Sequence, residues 1–117
     1  REAGALVVVN HVALEDYVAA TVGGEMPSSW PVAALRAQAV ATRTYALHQR
    51  DRQRAKAWDV HATVQSQVYR GIESETKATR SAADATRGEI LTFAGRPILA
   101  AFHSTAGGQT ASAAEVW

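Results

Sequence analysis

The sequence predicts an α+β fold in which alanine-rich helices pack with a small antiparallel sheet that includes a C-terminal β-hairpin. Three observations point there. Pro31 to about Gln49 is dense in alanine, the best helix former, with Val32, Leu35, Ala39, Val40, Ala46 and Leu47 on one stripe. Ala5 to Val9 is rich in β-branched residues and reads as a strand. Glu89 to Phe93 and Ile98 to His103 flank Ala94, Gly95, Arg96 and Pro97, the pattern of a hairpin with a four-residue connection.

In chain order, the strand Ala5 to Val9 turns at Asn10 and His11 into a first helix from Leu14 to about Val22. Glu15 and Asp16 occupy its first turn, where the positive end of the helix dipole favours them. Met26, Pro27, Ser28 and Ser29 break this helix, and Pro31 suits the first position of the second. Arg36 and Arg43 fall within the apolar stripe of that second helix. Either their stems cover apolar surface while the guanidinium groups reach water, or Arg43 points into a cleft beside Glu25. Arg50 to Lys56 is polar, and Ala57 to Gly71 shows neither period apart from a short strand near Gln67 to Tyr69. A third helix spans Ser74 to about Thr86, with Ala78, Ala82 and Ala85 at helical spacing and Gly88 just past its end.

The chain of 117 residues fits one domain and is 47% hydrophobic, 20% charged and close to neutral at +1. No strong field recruits nucleic acid or an anionic membrane, so no nucleic-acid partner is expected. No apolar run approaches the length of about 18 residues that a membrane helix requires. Cysteine is absent, which excludes disulfides and thiolate metal sites.

One carboxylate stands out. Leu14, Tyr17, Val18, Thr21 and Val22 form a helical stripe, and the next step along it reaches Glu25. A carboxyl on an apolar face is a candidate general acid. Gly23 and Gly24 each cost a helix roughly 1 kcal/mol relative to Ala, so the alternatives are a loop glutamate at the mouth of a cleft or a helix-end glutamate facing water. Other constellations are weaker. His103 and Ser104 are adjacent and point to opposite faces of a strand, a poor base and nucleophile pair. Gly107 and Gly108 lack the lysine of a phosphate loop. His11, His48, His61 and His103 have no metal-type spacing.

Three blocks in order, LEDYVAATVGGEMPSSWPVAALRAQAVATRTYAL, DVHATVQSQVYRG and ATRGEILTFAGRPILAAFHSTAGGQTASAAEVW, resemble the SpoIID/LytB family of stage II sporulation protein D and the amidase enhancer. The resemblance covers nearly the whole chain, read as one SpoIID/LytB-like domain over residues 1–117. It implies a lytic transglycosylase of the cell envelope acting on peptidoglycan glycan strands stripped of stem peptides, with a cell-wall amidase as a possible partner. Glu25, in GGEMP, matches the family's catalytic glutamate. Arg43, Tyr45, Gln67, Tyr69, His103, Ser104, Gly107, Gly108 and Thr110 lie in matching blocks and are expected to line the glycan groove.

The departures carry expectations too. Some sporulation members hold zinc through cysteine and histidine before QVYRG, whereas this stretch offers His61, Gln65 and Ser66. A tetrahedral site cannot close on one ligand, so neither zinc nor any other cofactor is expected. The family domain extends past the position of Trp117, which implies a partial domain whose apolar surface, near Phe102 and Val116, is covered by the remaining portion or by another chain. Two rival readings remain: a non-catalytic glycan-binding enhancer of an amidase, and a hydrolase pairing Glu25 with Asp59 or Glu115.

Overall fold

The computed structural model describes residues 11–52 and 71–102. The expected strands at Ala5 to Val9 and Gln67 to Tyr69 lie outside them. The described residues form three helices, α1 (Leu14–Glu25), α2 (Val32–Arg52) and α3 (Lys77–Ala85), with a two-stranded antiparallel sheet of β1 (Thr92–Phe93) and β2 (Arg96–Pro97). This is the α+β arrangement expected. None of these helices is long and apolar enough to cross a membrane.

The first helix continues through Gly23 and Gly24 to Glu25. Pro27 ends it, because a proline disfavours helical geometry in the residue before it, and Met26 is extended at φ −148°, ψ 155°. Gly23 persists in the helix for a tertiary reason. A Cβ placed there would overlap the carbonyl oxygen of Ser74 and lie 2.9 Å from its carbon. The glycine therefore lets the 3-10 turn Ile72–Ser74 seat directly against α1. Nor is α1 the one-striped helix its sequence suggests, since Tyr17, Val18, Ala19, Ala20, Thr21 and Val22 are all buried. A helix enclosed on every side needs no polar face, and α2, α3 and the 3-10 turn all pack on it.

Val18, Ala19 and Val22 of α1, Leu35 and Ala39 of α2 and Ala82 and Ala83 of α3 form the core. Small residues at the contacts let the three backbones approach closely. The polypeptide enters α2 at Pro31, whose carbonyl accepts from the Ala34 and Leu35 N–H groups. The third helix begins later than expected. Thr76 caps it, its hydroxyl accepting from the Thr79 N–H while the Thr79 hydroxyl accepts from the Thr76 N–H. Its buried face is Thr79, Ala82 and Ala83, displaced from the stripe through Ala85, which is exposed.

The hairpin connection has two residues, not four. Thr92 pairs with Pro97 and Phe93 with Arg96, and the turn residues Ala94 and Gly95 both have positive φ, 53° and 78°. That is the backbone of a tight hairpin turn matched to strand twist. Arg96 and Pro97 consequently belong to the strand. Leu91, Phe93 and Leu99 are exposed along the hairpin. Its entry is tied to α2, because the Leu91 N–H donates to the Thr44 hydroxyl at 3.0 Å.

Candidate functional site

Contacts between the helices fix their directions. Arg43 of α2 reaches Glu15 at the start of α1, Ser74 meets Gly23 near the end of α1, and Arg80 of α3 reaches Asp16. Both α2 and α3 therefore run opposite to α1. One end of the bundle gathers the last turn of α1, the connection Met26–Pro31, the 3-10 turn and the N-cap of α3. Glu25 sits at that end, half-buried, as the final residue of α1.

This end is braced. The Thr76 hydroxyl donates to the Ser28 hydroxyl at 3.1 Å, and the Trp30 N–H donates to the Pro27 carbonyl at 3.1 Å. The Met26 N–H closes the last helical hydrogen bond on the Val22 carbonyl at 3.1 Å. Glu25 is thus positioned by a proline stop on one side and by the Gly23 approach to Ser74 on the other. A glutamate on a rigid helix end, partly withdrawn from water, is suited to give and take a proton at a fixed point.

Arg43 does not join Glu25. Its guanidinium is fully buried and forks onto Glu15, Nε to Oε2 at 2.9 Å and Nη2 to Oε1 at 2.7 Å. Nη1 donates to the Glu89 carbonyl at 2.9 Å, and Nη2 also reaches the Ala83 carbonyl and the Thr86 hydroxyl. Glu15 lies ten residues before Glu25, about 15 Å along the helix axis at 1.5 Å per residue. Arg43 therefore joins all three helices and the hairpin entry, and the expectation that it reaches Glu25 gives way to this role. A buried guanidinium needs a carboxylate and carbonyls to replace its water, and this cluster supplies them. Tyr45, two residues further on, is half-buried and meets Phe102 edge to face, with ring centroids 6.4 Å apart.

Gln67, Tyr69, His103, Ser104, Gly107, Gly108 and Thr110 lie outside the described residues, as do His61, Gln65, Ser66, Asp59 and Glu115. Among the described residues no group of three or more histidine, aspartate or glutamate side chains is arranged to hold a metal. A cleft of about 240 Å³ is lined by His48, Asp51, Arg52, Arg96 and Pro97. It belongs to the last turns of α2 and the hairpin, away from Glu25. Sequence reasoning missed the pairing of Glu15 with Arg43 and the cap at Thr76, both of which hold the scaffold.

Comparison with known proteins places the chain in a family. The model of stage II sporulation protein matches residues 2–93. The chain is 41% identical over 113 residues to an uncharacterised protein of Brachyspira hyodysenteriae, covering 96% of this chain and 31% of that protein. It is 32% identical over 124 residues to stage II sporulation protein D of Bacillus subtilis, covering 93% and 36% of the two chains. With the amidase enhancer of Bacillus subtilis it shares 40% identity over 93 residues, 80% of this chain and 12% of that one. The chain thus spans about a third of the first two relatives. No solved structure matches it.

Proposed function

This chain belongs to the stage II sporulation protein D family, and from that premise we propose that it acts on the cell wall as a lytic transglycosylase of peptidoglycan glycan strands. The observation that carries the proposal is Glu25, half-buried and fixed at the end of α1 in the block that matches the family's catalytic glutamate. A wall substrate also puts the work outside the cytoplasmic membrane. Tyr45, Gln67, Tyr69, His103, Ser104, Gly107, Gly108 and Thr110 are proposed to line the groove, while Arg43 supports the scaffold behind it.

One carboxylate suffices for this chemistry. Ordinary glycoside hydrolysis needs two, one to protonate the leaving oxygen and one to activate water or attack the sugar. In the proposed reaction the Glu25 carboxyl protonates the glycosidic oxygen between N-acetylmuramic acid and N-acetylglucosamine, and the bond from C1 to that oxygen breaks. The C6 hydroxyl of the muramic acid then attacks C1 and gives its proton to the Glu25 carboxylate. The proton returns to where it began, no water is consumed, and a 1,6-anhydro end results.

The test is the mass of the products from purified glycan strands, with and without stem peptides. Anhydro ends are lighter by one water than the reducing ends a hydrolase would leave. Glu25→Gln should lower the rate by a hundredfold or more, the usual range for a general acid and base being roughly 10²–10⁴. Reducing ends would overturn the transglycosylase reading in favour of water attack. Strands that bind without turnover would instead favour a non-catalytic enhancer, the second reading, which the similarity to the amidase enhancer supports.

A further inference from the structure

Five residues after Glu25, the indole of Trp30 is 50% exposed. A single exposed apolar side chain is ordinary in itself. Trp30 differs in how firmly its backbone is held. Pro27 and Pro31 bracket the turn and fix φ at two positions, and the Trp30 N–H is bonded to the Pro27 carbonyl. The next residue, Pro31, already accepts the first hydrogen bonds of α2. Ser28 is anchored to the cap of α3 through Thr76. Ordering costs that binding would otherwise incur have been met in folding.

The surroundings suit a sugar ring. Pro31 and Val32, which follow Trp30 in the chain, are exposed, Val32 at 59%, as is Pro27 three residues before it, so the segment around Trp30 offers apolar side chains to solvent. A pyranose presents a face of C–H groups and a rim of hydroxyls, and it can lay that face on an indole while its rim stays hydrated.

We infer that Trp30 is a stacking platform that binds a sugar of the glycan strand at the Glu25 end of the bundle. This rests on the glycan-strand reading above. Trp30 touches the substrate at a ring face and takes no part in proton transfer, so its loss should weaken binding and leave the chemical step intact.

The experiment uses the full chain carrying Glu25→Gln, so that strands bind without being cleaved, titrated with purified peptide-free glycan strands by calorimetry. Adding Trp30→Ala should weaken binding about tenfold, the loss of one stacking contact. Trp30→Phe should restore most of it, and the thermal midpoint should hold because the side chain is exposed. In the active protein, Trp30→Ala should raise the half-saturating strand concentration with little change in kcat. Binding by Trp30→Ala within twofold of its parent would overturn the inference and leave the glycan reading standing. Failure of the Glu25→Gln parent to bind strands would overturn both.

Discussion

Arg43 and Glu15, 28 residues apart in the chain, form a two-pronged ion pair at 2.7 and 2.9 Å in which the arginine is completely buried. Breaking a buried pair from one side leaves an uncompensated charge and costs about 3–5 kcal/mol, a large part of a total stability of about 5–15 kcal/mol. Arg43→Ala and Glu15→Ala should each lower stability by that order in urea unfolding. Arg43→Lys should not rescue, since an ammonium cannot fork onto a carboxylate and reach Ala83 and Glu89 as well. A stable Arg43→Ala protein that has lost only strand binding would return Arg43 to the groove.

Arg80 offers the contrast. It bonds Glu75 at 2.7 and 2.8 Å and Asp16 at 2.7 Å, yet its side chain keeps 30% of its exposure. The hydrogen bonds it donates to Glu75 and then to Asp16 raise its pKa above the ordinary arginine value. The stability linked to a raised base is fully present below the unfolded-state value and lost only as pH climbs through the raised one. Titration across neutral pH therefore leaves the arginine's charge unaltered, and salt is the useful probe. Arg80→Ala should cost about 1 kcal/mol or less, shrinking further at high ionic strength.

Thr21 is fully buried, and among the described residues its hydroxyl has no hydrogen-bond partner. An unsatisfied buried polar group costs about 1–3 kcal/mol. Thr21→Val keeps the shape and removes the hydroxyl, so it should raise the urea midpoint. A fall in the midpoint would show that the hydroxyl is satisfied in solution.

These residues also show what the sequence made legible. The second helix could be read from Pro31 and its alanines because propensity alone marks it, although Val32, expected on the apolar stripe, is exposed while Thr42, Arg43 and Thr44 are buried. Arg43 could not, because its carboxylate comes from another helix and nothing local marks Glu15 as the partner. The hairpin was visible in its flanking apolar runs, but Ala94 at φ 53° hid the two-residue turn, which usually announces itself as Asn-Gly or Asp-Gly. The cap at Thr76 was hidden similarly, since Thr79 stands where glutamate or glutamine would have signalled a capping box. Glu25 could be singled out as a candidate through its motif, whereas its place inside the helix depended on a backbone contact half the chain away.

That contact supplies the last prediction. In an exposed helix, Gly23→Ala would stabilise by roughly 1 kcal/mol. Here the added methyl overlaps the Ser74 carbonyl, a backbone atom that cannot swing aside as a side chain would. The 3-10 turn must retreat or α1 must bend, and overpacking of this kind costs about 1–3 kcal/mol. Either movement disturbs the turn of helix that ends in Glu25, two residues on. Gly23→Ala should therefore lower the thermal midpoint and reduce strand cleavage more than the loss of folded protein explains. A stabilised Gly23→Ala protein with full activity would show that the 3-10 turn does not press on α1, and would remove it from the machinery that positions Glu25.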